Sequence, residues 1–252
     1  MQEYCCLPDY DKYRLGISEL LICSLKSIGV IALFSYVFYR SWIAAIFLLP
    51  ISFLIIKDTQ KDLIEKRKLQ LSFEFKEMMN SLIAGLQAGY SVENSFEHAY
   101  RDMVLLLGKH SLIVEELSYI TKALKNNRNI EELLLDLAKR SHVVDIRDFS
   151  EVFTIAKRSG GDLPAMLRNT ADIISEKMDM RRKLTTLISS KKFEQSIMNV
   201  VPFAIILYID MSSPGFFNSL YGNVMGIVLM SILLFVYLVA FFLAKKITDI
   251  KI

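Results

Sequence analysis

Between Val224 and Ala244 the chain reads VMGIVLMSILLFVYLVAFFLA, an apolar run without a single charge. At 1.5 Å per residue its roughly 21 residues make a helix of about 30 Å, the thickness of a bilayer's hydrocarbon core. Just ahead of it, Ile197 to Met211 (IMNVVPFAIILYIDM) is apolar but shorter, and SSPGFFNSLYG links the two with turn-forming Ser, Pro, Gly and Asn. The pair is predicted to be a transmembrane hairpin over 196–244. Pro202 removes one backbone donor from the first arm, which a neighbouring helix accommodates as a kink.

The composition agrees with a chain divided between lipid and water. Hydrophobic residues make up 53% and the mean hydropathy is +0.35, high for a soluble protein, while charged residues still reach 23%. Those charges have to gather where the chain meets water. A net charge of +3, from 30 basic and 27 acidic residues, gives no electrostatic case for nucleic acid. Three cysteines, Cys5, Cys6 and Cys23, have neither a disulfide framework nor a metal-ligand spacing.

The apolar stretch from Leu20 to Ile56 has two readings, one very long helix or a second hairpin. The single helix would place Arg40 near mid-membrane, at a cost of at least ~2.5 kcal/mol. A hairpin of about 18–38 and 42–57 leaves Arg40 in water beside Tyr36, Tyr39 and Trp42, aromatics that favour the headgroup boundary. We adopt the hairpin, with Lys26 snorkelling from the first span. Lys57, Lys61, Lys66, Arg67 and Lys68 then share one side with Arg181, Arg182, Lys183, Lys191, Lys192, Lys245 and Lys246. The positive-inside rule assigns that side, with both termini and the central region, to the cytoplasm. MQEYCCLPDYDKYR opens acidic and without an early apolar core, so no cleavable signal peptide is expected.

Residues 58–195 carry most of the charge and read as a water-exposed, all-helical domain. Lys61 to Gln87 is predicted as a long helix ending at Gly89, a residue suited to the left-handed C-terminal position, with Ser91 capping the next helix. A helix over Leu112–Lys125 breaks at Asn126-Asn127-Arg128, and Asn129 with Glu132 resembles a capping box for Ile130–Arg140. Asp145 opens a further helix that ends at Ser159-Gly160-Gly161, and Asp162 caps the last, with Pro164 in its first turn. On that last helix Leu163, Met166, Leu167, Thr170, Ile173, Ile174, Met180, Leu184 and Leu187 form one apolar face. Nothing interrupts the helix before the third span, which leaves two equally open readings: helical rods that join the central domain to lipid on both sides, or long helices that merely pack into a bundle.

Catalytic constellations are not evident. The chain has neither GxxxxGK[ST] nor GxGxxG, and His98, His110 and His142 lack a second ligand at i+3 or i+4. Asp210 is the only aspartate in a predicted span, at its outer end, where an intramembrane protease would want two. No enzyme activity, metal or cofactor is expected. Basic runs Lys66-Arg67-Lys68 and Arg181-Arg182-Lys183 and acidic pairs Glu115-Glu116 and Glu131-Glu132 are candidate partner-docking patches. Such runs are more often solvated faces, lipid headgroup contacts or, for the acidic pairs, carboxylates favoured by the helix dipole.

Leu86-Gln87-Ala88-Gly89-Tyr90-Ser91, Glu132-Leu133 to Leu137-Ala138-Lys139-Arg140, Ser159-Gly160-Gly161-Asp162-Leu163 and Pro202, in this order between two hairpins, resemble the type II secretion F domain. The arrangement is most similar to the TadB and TadC inner-membrane proteins of Tad/Flp pili. The resemblance implies a non-enzymatic platform that binds a secretion ATPase, acts on pilin or pseudopilin subunits, and pairs with itself or a paralogue in the cytoplasmic membrane. Gly89, Gly160, Gly161, Asp162 and Pro202 would be structural turns and breaks. The rival reading is a small transporter or channel with Lys26, Asp210 and Pro202 along its pathway.

Overall fold

A computed structural model of the chain describes Tyr10 and residues 17–39, 42–159, 162–213, 215–216 and 223–248. The elements are all α-helices: α1 (Ile17–Tyr39), α2 (Trp42–Gln87), α3 (Val92–Leu107), α4 (Leu112–Lys125), α5 (Ile130–Ser141), α6 (Val144–Ser159), α7 (Leu163–Ser212) and α8 (Val224–Thr248). They divide into two compact units, Met1–Arg14 with Gln60–Met180, and Leu15–Thr59 with Arg181–Ile252. Both α2, at 46 residues, and α7, at 50, are single helices that contribute to each unit. The segment after Lys57 therefore carries no break between apolar and charged sequence. Arg40, Gly160 and Gly161, and the side chain of Lys26, lie outside the described residues.

The first unit is a bundle built from α3–α6 and the adjoining parts of α2 and α7. Leu71, Phe75, Met78, Met79 and Leu82 of α2 recur at threes and fours and are buried against Ile113 and Leu117 of α4, Leu134 and Leu137 of α5 and Phe149 and Phe153 of α6. Phe75 meets Phe149 edge-on at 5.3 Å between centroids, and Phe96 meets Phe153 at 6.2 Å. Local signals set the ends of these helices. The Ser91 hydroxyl accepts from the Asn94 N–H, and the Asp162 carboxylate from the Ala165 N–H. Gly89 takes φ +86°, letting the Tyr90 N–H reach the Gly85 carbonyl, and Asn127 takes φ 57° after α4. Asn129 caps α5 through the Glu131 N–H rather than as the reciprocal box read from the sequence.

The apolar face of α7 needs a correction. Leu167, Ala171, Ile174 and Met178 are buried in the bundle, whereas Met166, Ile173, Met180 and Leu187 are exposed. These four fall one per heptad, a second stripe well round the helix from the core-facing one. Two stripes at different angles read as one wide face when only the spacing is available.

In the second unit, Ile31 of α1, Phe203 of α7 and Met230 and Leu234 of α8 are the buried residues of a small core. Phe34, Phe203 and Tyr237 form a triangle of rings 5.0 to 5.7 Å apart. Pro202 sits inside an unbroken α7. Three residues before it, the Asn199 carbonyl accepts from the Tyr237 hydroxyl of α8 at 3.2 Å, a bond that ties α7 to α8 beside the proline. Outward-facing residues of α8 include Met225, Phe235, Val236, Phe242 and Leu243, each more than half exposed. Among the described residues two helices, α7 and α8, contain segments long and apolar enough to cross a membrane. A shorter apolar segment lies in α1.

Candidate functional site

Among the described residues four carboxylates are buried in the bundle, each joining its helix to another. Glu116 on α4 is fully buried and receives a bidentate Arg140 from α5, with both N–O distances 2.7 Å. Two parallel charge-assisted bonds of that length are the strongest way to pair a desolvated carboxylate. Arg140 also donates to Asp136 on its own helix at 2.8 Å. Burial opposes the arginine's charge, but the bonds and charges of Glu116 and Asp136 outweigh it and raise its pKa further.

Glu74 on α2 ends another helix. Its carboxylate accepts from the Ser111 hydroxyl at 2.7 Å and the Ile113 N–H at 3.0 Å, and Gln70 holds the other oxygen at 2.8 Å. Ser111, the N-cap of α4, makes no side-chain cap bond of its own, so Glu74 supplies the cap from 39 positions away. Glu74→Ala is expected to destabilise the start of α4 by about 1–2 kcal/mol. Faster amide hydrogen exchange at Ile113 and Val114 in the purified chain, with α6 unchanged, checks this.

Asp145, 1% exposed in the first turn of α6, accepts from Lys177 of α7 at 2.7 Å and Ser72 of α2 at 3.1 Å. The sequence offers it as a helix-opening residue, and the structure uses it to join three helices. Glu131 of α5 meets Arg158 at 3.1 Å and Lys157 at 3.8 Å, both on α6. These pairs fix register within the bundle, and the exposed ends of Lys177 and Arg158 limit what their ion pairs add to stability.

Two docking candidates are corrected by this geometry. Glu116 and Glu131 are buried with their carboxylates engaged internally, so an approaching partner meets neither. Their neighbours Glu115 and Glu132 are exposed, as are Lys66, Arg182 and Lys183, while Arg67, Lys68 and Arg181 are partly buried. Arg67 lies with its guanidinium carbon 5.1 Å from the centre of the Tyr10 ring. Asp210 sits in the last turn of α7. Among the described residues, no group of three or more His, Cys, Asp or Glu is placed to hold a metal ion.

Spacing alone could have found the buried carboxylates. Glu116 shares a face with Ile113, Leu117 and Ile120; Glu74 with Leu71, Phe75 and Met78; Asp145 with Phe149 and Phe153. A charged residue at a core position announces a buried partner. Which residue provides that partner is set by the packing of helices, which local spacing does not encode.

Among the described residues the fold so far is all-helical, with two candidate membrane-spanning helices, α7 and α8, the first of which also contributes to the bundle core. Residues 75–210, from the C-terminal third of α2 to the last turn of α7, match the family model for type II secretion system (T2SS), protein F. The match takes in more than half of the chain, which belongs to that family. No curated protein and no solved structure matches the chain. Members are non-enzymatic inner-membrane platform proteins of type II secretion and type IV pilus-related machines. In general they work with secretion ATPases and pilin-like subunits.

Proposed function

We propose that this chain is the platform of a Tad-type or type IV-like pilus, or a type II secretion assembly, coupling a cytoplasmic secretion ATPase to extraction and polymerisation of pilin-like subunits. The observation that carries this is the protein F match over residues 75–210. In this reading 18–57 and 196–244 are transmembrane hairpins, 58–195 is the cytoplasmic domain, and 1–17 and 245–252 are cytoplasmic. The basic residues flanking the apolar segments support that orientation. Unbroken α2 and α7 support the coupling, since a continuous helix carries a displacement along its axis with little loss.

The ATPase docks on exposed charge, for which Lys66, Glu115, Glu132 and Lys183 are candidates. A second copy or a paralogous platform protein packs on the apolar stripe of Met166, Ile173, Met180 and Leu187. Lipid headgroups meet Arg181, Arg182 and Lys183. Gly89, Gly160, Gly161 and Asp162 shape the turns, and no cofactor or nucleic acid takes part. Deleting the gene is expected to abolish the filament or the export while pilin-like subunits accumulate in the membrane. Filaments and export at the parental level would contradict the reading.

A further inference from the structure

We propose that Glu116, Arg140 and Arg67 form a tyrosine socket, occupied by Tyr10 of the same chain, which fastens the chain ahead of α1 to the α4–α5 pair. Tyr10 is 1% exposed, 106 positions from the carboxylate it touches. Three contacts each read a different feature of the residue. The hydroxyl donates to Glu116 Oε1 at 3.0 Å, the ring lies under the Arg67 guanidinium, and the backbone N–H donates to the Arg140 carbonyl at 3.2 Å. Phenylalanine satisfies two of these contacts, and an aliphatic residue only the last.

Each contact also meets a need of the bundle. The Arg140 carbonyl lies in the last turn of α5, where carbonyls have no donor within their own helix. Glu116 is fully buried, so Tyr10 adds a third bond to a carboxylate that water does not reach. A cation over an aromatic face contributes about 0.5–1 kcal/mol at exposed sites and more when desolvated. Burial and then the Glu116 charge push the Tyr10 hydroxyl above the ordinary tyrosine range, so it remains a donor at neutral pH.

Tyr10 precedes Ile17, the first residue of α1, in the chain. The socket therefore seats the chain, at a point ahead of α1 in sequence, on the α4–α5 pair of the bundle.

Trypsin sites Lys12 and Arg14 follow Tyr10 closely in the chain, which makes limited proteolysis of the full-length protein in nanodiscs the test. If the socket fastens the chain at Tyr10, cleavage at these sites follows the population in which Tyr10 has left it. Tyr10→Ala is expected to raise cleavage at Lys12 and Arg14 at least tenfold, with Tyr10→Phe in between. Cleavage at Lys122, Lys125 and Lys139 stays unchanged, reporting an intact bundle. In a Glu116→Gln background the difference between Tyr10 and Tyr10→Phe shrinks, as a direct hydroxyl–carboxylate contact requires. Equal N-terminal cleavage in wild type and Tyr10→Ala overturns the socket. So does a parallel rise at the α4 and α5 sites, which would make Tyr10 an ordinary core residue. Cysteine labelling of α1 from either side of the membrane tests the topology independently.

Discussion

Arg140→Met lowers the stability of the α4–α5 region by roughly 3–5 kcal/mol, the usual consequence of leaving one member of a buried ion pair without the other. Glu116 is fully buried and takes both of its shortest bonds from this guanidinium, so its charge has nowhere to go when the arginine is removed. Amide hydrogen exchange in α4, measured on the full chain in detergent, should accelerate by about two to three and a half orders of magnitude, at tenfold per 1.4 kcal/mol. The companion result is a recovery. With Tyr10→Phe and Glu116→Leu added, the whole polar cluster becomes apolar, and most of the lost protection returns. A loss under about 1 kcal/mol for Arg140→Met alone would mean that the pair contributes little to the bundle.

The second large effect concerns α7. Ser190 is exposed, beyond Met178, the last bundle-core residue of that helix, and ahead of the apolar segment from Ile197. Ser190→Pro removes the bond from its N–H to the Thr186 carbonyl and presses the ring against that turn, costing about 3 kcal/mol locally. If helix continuity transmits force, filament assembly or export falls more than tenfold while exchange in α4 to α6 stays at the wild-type level. Ser190→Ala, which keeps the helix, should leave both unchanged. Wild-type assembly with Ser190→Pro would show that α7 does not transmit the motion and would leave α2 as the candidate link.

The local layer of this structure is legible in the sequence, and the layer between helices is not. Leu112–Lys125, the Ser91 and Asp162 caps and the Asn127 break come from residues within one turn of each other, where propensity and capping chemistry act. The place of Glu116 among Ile113, Leu117 and Ile120 signals a buried carboxylate, but the arginines that meet Glu116 and Glu131 are brought over by the packing of α4 to α6, which no local spacing encodes. Glu74 ends α4 from another helix, an arrangement with no local signature. Tyr10 belongs to a stretch with neither periodicity nor caps, so its place in the bundle rests wholly on tertiary contacts. The α7 stripe is a different case: the spacing holds both faces, and only burial separates Leu167 and Ile174 from Met166 and Ile173.

The protein F match fixes the family, and what remains is whether this chain receives force from a motor. Photocrosslinking groups at Glu115, Glu132 and Lys66, introduced one at a time in native membranes and followed by affinity isolation, test this directly. A platform of the proposed kind yields an adduct with a cytoplasmic secretion ATPase from at least one of the three positions, with a pilin-like subunit in the same isolate. Isolates of the folded, normally expressed protein that contain neither an ATPase adduct nor a pilin-like subunit would contradict it.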